Sequence, residues 1–156
     1  MNQAALQAET HAIMIDEVFP HAPEIVWKTL TSGELMARWL GMTPTDFAPV
    51  VGQRFTYATT PAGEWDGTIR CKVLEVTPNR RFAYSWKGGH EANAGYGSRL
   101  DTIVAFTLDP AEDGTRLRVV HSGFVLPHNE TAYDKMTAGW TKVLERLGEA
   151  VREKAA

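Results

Sequence analysis

Residues 131–154 read TAYDKMTAGWTKVLERLGEAVREK, and within them Tyr133, Met136, Trp140, Val143, Leu144, Leu147 and Val151 recur at the spacing of one helical face. The other face carries Lys135, Lys142, Glu145, Arg146, Glu149 and Arg152, the make-up of a solvated surface. A helix of this extent is roughly 35 Å long, enough to cross a whole sheet. So broad an apolar face requires an apolar partner of matching size, and the chain before it supplies one as a run of strands.

In residues 115–121, TRLRVVH, Leu117, Val119 and His121 share one parity, and Arg116 and Arg118 the other. Ala111-Glu-Asp-Gly114 carries the Asp-Gly signal of a hairpin turn. Before it, residues 99–109 place Leu100, Thr102, Val104, Phe106 and Leu108 on one face. Residues 80–86, RRFAYSW, alternate Phe82, Tyr84 and Trp86 against Arg81, Ala83 and Ser85. A tight turn at Thr77-Pro-Asn79 joins them to a long strand over 65–76, WDGTIRCKVLEV. There Ile69, Cys71 and Val73 keep one parity, and a bulge near Leu74 accounts for its loss. Phe55 and Tyr57 alternate in an earlier strand, and residues 11–19, HAIMIDEVF, make the first.

Two short helices separate those last two strands. Pro23 and Glu24 suit a first helical turn, with Ile25, Val26, Trp27 and Leu30 as its apolar stripe. Thr31-Ser-Gly-Glu34 reads as a capping box for the second, whose buried face is Leu35, Met36, Trp39 and Leu40. Residues 41–52 are a connecting loop. Residues 87–98, KGGHEANAGYGS, hold four glycines and read as a mobile loop, a lid rather than a phosphate loop. Strands joined by short turns pair antiparallel, and no strand–helix–strand crossover occurs. The fold class is α+β: a curved antiparallel sheet around a long C-terminal helix, with two short helices after strand one.

The length of 156 residues fits one domain, read as 11–156 behind a tail of 1–10. Hydrophobic residues at 44% and charged residues at 22% exclude disorder over most of the chain. The charge sum, 16 − 19 = −3, argues against nonspecific nucleic-acid binding. Cys71 is the only cysteine, so neither an intrachain disulfide nor a thiolate metal cluster is available. The first ten residues, MNQAALQAET, lack the basic and apolar regions of a signal peptide, and no apolar run nears the ~20 residues of a membrane span. A cytoplasmic protein without a membrane partner is the expectation.

Three segments together resemble one family. They are FPHAPEIVWKTLTSGELMARWLG (19–41), GTIRCKVLEVTPNRRFAYSW (67–86) and GWTKVLERL (139–147). The family is the bacterial activator-of-heat-shock-protein-90-ATPase-like group of the START-like (SRPBCC) superfamily. The resemblance implies a helix-grip, START/Bet v 1-like fold with an apolar cavity between sheet and helix. Members of that superfamily include lipid carriers, polyketide cyclases, hormone receptors and co-chaperone domains, so function must come from the site.

The residues expected to face such a cavity are Tyr57, Ile69, Phe82, Tyr84, Trp86, Thr102, Val104, Phe106, Val119, His121, Met136 and Trp140. The alternative is that the same side chains pack as solid core. His121 could hydrogen-bond a ligand or move a proton, and a satisfied structural histidine is the plainer reading. His11, His21, His90 and His128 are scattered, so no metal is expected, and no cofactor either. Ser122 lies in HSGF, outside a nucleophile elbow, and Cys71 falls inside a strand. The primary expectation is binding of a small apolar or aromatic molecule. Alternatives are a cyclase or dehydratase acting through Tyr84 or His121, and a co-chaperone-type interaction protein. The eukaryotic activators carry a separate chaperone-docking domain that 156 residues leave no room for, so a chaperone partner is unsupported. A homodimer is compatible with the sequence.

Overall fold

The computed structural model describes residues 10–156. The tail expected over 1–10 therefore lies, up to residue 9, outside the described residues, and Thr10 already opens the first strand. The described strands are β1 (Thr10–Phe19), β2 (Arg54–Ala58), β3 (Thr68–Thr77), β4 (Arg81–Gly88), β5 (Leu100–Ala111) and β6 (Gly114–Val125). Helices α1 (Pro23–Leu30) and α2 (Gly33–Leu40) follow β1, and α3 (Glu130–Ala155) closes the chain. The strands form an antiparallel sheet in the order β1-β6-β5-β4-β3-β2. β1 and β2 thus stand at opposite edges, and the α1–α2 segment carries the chain from one edge to the other.

Alternation settles which face is inside. Phe82, Tyr84 and Trp86 are buried, as are Leu100, Thr102, Val104, Phe106 and Leu108, and Leu117, Val119 and His121. In β3 the register against β4 shifts between Val73 and Glu75, so a bulge turns Leu74 outward. β3 begins at Thr68 rather than at 65. The Asp66 carboxylate accepts from the Thr68 N–H at 2.9 Å, and Trp65 pairs back onto Ala62, so residues 62–67 are a turn. Pro23 occupies the first turn of α1 as expected. The cap of α2 is Ser32, which accepts from the Leu35 N–H at 3.3 Å, one residue later than the Thr31–Glu34 spacing predicts. Thr31 instead donates to the Trp27 carbonyl at 2.8 Å and serves the end of α1.

The two short helices decide how the concave face is filled. Trp27 and Phe47 pack edge-on to Phe82 at 6.3 and 6.0 Å between ring centroids, and Trp39 meets Phe106 at 5.9 Å. The Trp39 indole donates to the Thr29 carbonyl at 3.1 Å, so even this buried polar group is satisfied. α3 packs most closely on α2, α1 and β1. Val26, Leu30, Met36, Leu144, Leu147 and Val151 complete that end of the core. Over β3–β5 the helix backbone stands farther off, and the space between is left to side chains. Among the described residues no helix is long and apolar enough to cross a membrane.

Candidate functional site

Where α3 stands off the sheet, side chains do not close the gap. A partly open pocket of about 250 Å³ remains there. Leu40 and Met42 bound it at the end of α2, Thr59 and Trp65 in the β2–β3 connection, and Ile69, Trp86, Gly88 and Leu100 on the sheet. Tyr96 of the β4–β5 loop, and Lys135, Met136, Gly139, Trp140 and Val143 of α3, complete the wall. Lys135 is the one charged residue in this lining.

Gly139 interrupts the middle of a long helix. A Cβ there would meet no atom within 4 Å, so the glycine leaves open space in the wall. The rim is tied by side chains. Asn93 donates to the carbonyls of Ala62 at 2.7 Å and Gly97 at 3.1 Å, and Tyr96 donates to the Thr60 carbonyl at 2.8 Å. At Gly89 the backbone takes a positive φ of 72°, and a Cβ would collide with the Ser98 carbonyl. The 87–98 segment, expected to be a mobile lid, is thus laced to the β2–β3 connection. Composition showed its glycines but not the Asn93 bonds.

Of the residues expected at a cavity, Ile69, Trp86, Met136 and Trp140 line this pocket. Tyr57, Phe82, Tyr84, Thr102, Val104, Phe106, Val119 and His121 are buried in packed core beside it. His121 shows why. The Trp140 indole N–H donates to Nδ1 at 3.1 Å, and Nε2 lies 2.8 Å from the Thr102 hydroxyl. That hydroxyl donates to the Trp86 carbonyl at 2.8 Å, so Nε2 carries the proton and donates to it. Both nitrogens are engaged, and burial lowers the imidazole pKa to about 3. His121 is a neutral strut between α3 and the sheet, with no lone pair left for proton transfer.

The Tyr57 and Tyr84 hydroxyls lie 3.4 Å apart, and burial raises both far above the usual phenol range. Burial raises the Cys71 thiol likewise, so no thiolate nucleophile is available at neutral pH. Among the described residues the Trp86 indole N–H is buried without a hydrogen-bond partner. Among the described residues no group of three or more His, Cys, Asp or Glu side chains could hold a metal ion.

The family described as Activator of Hsp90 ATPase homolog 1-like protein matches residues 20–152. No curated protein matches the chain. Among solved structures, protein MLL2253 from Mesorhizobium loti is 34% identical, with a TM-score of 0.78 over 92% of this chain and 98% of that one. CalU16 from Micromonospora echinospora is 23% identical, with a TM-score of 0.67 over 91% of this chain and 76% of that one. DynU16, from the dynemicin biosynthetic locus, is 20% identical, with a TM-score of 0.68 over 90% of this chain and 47% of that one. The last two likenesses carry the fold alone.

Proposed function

This chain belongs to the Activator of Hsp90 ATPase homolog 1-like family, and from the pocket beneath α3 we propose that it binds a small apolar or aromatic molecule there. The observation that carries this reading is a space of about 250 Å³ between helix and sheet whose wall is apolar but for Lys135, whereas the larger grooves elsewhere on the described residues are each lined by several charged side chains. That is larger than the ~150 Å³ apolar cavity that accepts benzene. It falls just under the ~300 Å³ at which drug-sized sites begin. A body of two or three rings suits it. Burying some 200 Å² of apolar ligand surface contributes ~5 kcal/mol before association costs.

Holding is favoured over acid–base chemistry by the engaged state of His121 and the buried, unionised tyrosine pair. Neither presents a group poised near neutral pH, as a general acid or base needs.

The test is a titration with the neutral fluorophore N-phenyl-1-naphthylamine. Gly139→Leu places its side chain in open space and should keep the fold, checked by circular dichroism. It should cut the probe's affinity by about tenfold or more as the pocket fills. Equal affinity in wild type and Gly139→Leu, or no binding to wild type, overturns the reading.

A further inference from the structure

The pocket wall is apolar, yet its mouth is not electrically neutral. On α3, Lys135, Gly139, Lys142 and Arg146 follow one another at spacings of four, three and four residues, which sets them in one stripe along the helix. That stripe borders the face from which Met136, Trp140 and Val143 line the pocket. Lys135 itself belongs to the wall, as does Tyr96. At the other end the Arg146 guanidinium comes within 3.0 Å of where a Cβ on Gly41 would stand. Gly41 sits between Leu40 and Met42, which bound the pocket there. Cations therefore stand at both ends of one opening.

These cations are not spent on internal pairs. Arg38, Arg81, Lys87, Arg116 and Arg118 each face a carboxylate. Lys135, Lys142 and Arg146 are in no ion pair among the described residues. Of the acidic residues of α3, Glu145 and Glu149 follow Lys142 and Arg146 by three residues each, yet they border a separate groove with Glu17 and His21 and do not line the pocket, and Asp134 lies about 100° round the helix from Lys135. In a chain of net charge −3, this stripe is a local reversal of sign at the lip of an apolar pocket.

We propose that the molecule held in the pocket is a small amphipathic anion, an aryl or short alkyl carboxylate or similar acid. Its apolar body fills the pocket, and its charged group rests at the mouth between Lys135 and Arg146. This rests on the pocket being a ligand site and adds the charge of the ligand to it. The apolar interior of the pocket rejects a buried charge, because desolvating an unpaired ion is costly. The anion must therefore stay at the lip, in reach of flexible cations that keep their own hydration.

Two probes share an aryl body and differ in one group: 1-anilinonaphthalene-8-sulfonate is an anion and N-phenyl-1-naphthylamine is neutral. The sulfonate should bind about fivefold or more tightly than the neutral probe at low salt, the gain expected of two exposed charge contacts. Lys135→Glu should erase that preference, read as the ratio of the two probes' affinities in the same variant, with circular dichroism checking that the variant is folded. Raising salt from about 0.01 M to about 1 M shortens the screening length from ~30 to ~3 Å and should weaken the sulfonate alone. If both probes bind equally, are insensitive to Lys135→Glu, and are both lost in Gly139→Leu, the anion proposal falls and the pocket reading stands. If Gly139→Leu leaves both probes bound as in wild type, or neither binds wild type, both fall together.

Discussion

At His121 the two ring nitrogens hold α3 and β5 in place through Trp140 and Thr102, and the cost of that position is paid in acid. The folded imidazole resists protonation down to about pH 3, whereas in the unfolded chain it takes up a proton near pH 6.5. Between those values the unfolded state binds more protons, so stability rises with pH, and it is lost as pH falls below about 6.5. From pH 7 to pH 5 this one group should remove about 2 kcal/mol. The Asp16, Asp66 and Glu153 carboxylates are held below their ordinary values by Arg118, the Thr68 N–H and Arg38 respectively. Urea unfolding at the two pH values should show the loss in wild type and a flatter profile in His121→Gln. An equally steep profile in the variant would place the effect elsewhere. Trp86, next along the same network, carries the opposite signature, a buried N–H without a partner among the described residues.

Among the elements, α3 is where stability and space conflict. Gly139 sits near the middle of a 26-residue helix, where glycine is about 1 kcal/mol less favourable than alanine. No steric reason requires it, since a Cβ there meets nothing within 4 Å. Gly139→Ala should therefore raise stability by about 0.5–1 kcal/mol in urea unfolding. If the pocket is the ligand site, the same methyl should lower affinity for N-phenyl-1-naphthylamine. A destabilised Gly139→Ala would show that the helix cannot accept a side chain at that point. The β4–β5 loop makes the converse case: glycines there answer to close backbone approach, at Gly89 against Ser98, rather than to openness.

Over the whole molecule, α3 bears on both short helices and on β1, while β1 pairs with β6 and so with the rest of the sheet. Leu147 is fully buried where these meet. Unfolding should accordingly be a single transition, with tryptophan fluorescence and far-ultraviolet circular dichroism coincident. Leu147→Ala should lower its free energy by about 2–5 kcal/mol. Separate transitions by the two probes would show that the helix and sheet are not one cooperative unit.

The strand faces were legible from residues alone, because alternation at Phe82, Tyr84 and Trp86, or Leu117, Val119 and His121, is a local pattern that pleating imposes. The long helix and the bulge at Leu74 were legible for the same reason, one from its period and the other from a break in period. Local pattern does not say what stands opposite. Phe82 and Trp86 share a strand and a face, yet Phe82 is covered by Trp27 and Phe47 while Trp86 borders open space. That difference comes from where α1 and α2 lie after crossing the sheet. Trp65, Tyr96 and Met42 reached the pocket wall from loops, where no period exists to read. Whether an inward side chain becomes core or cavity wall depends on partners distant in sequence. It is decided only when α3 rests on the short helices and stands off β3–β5.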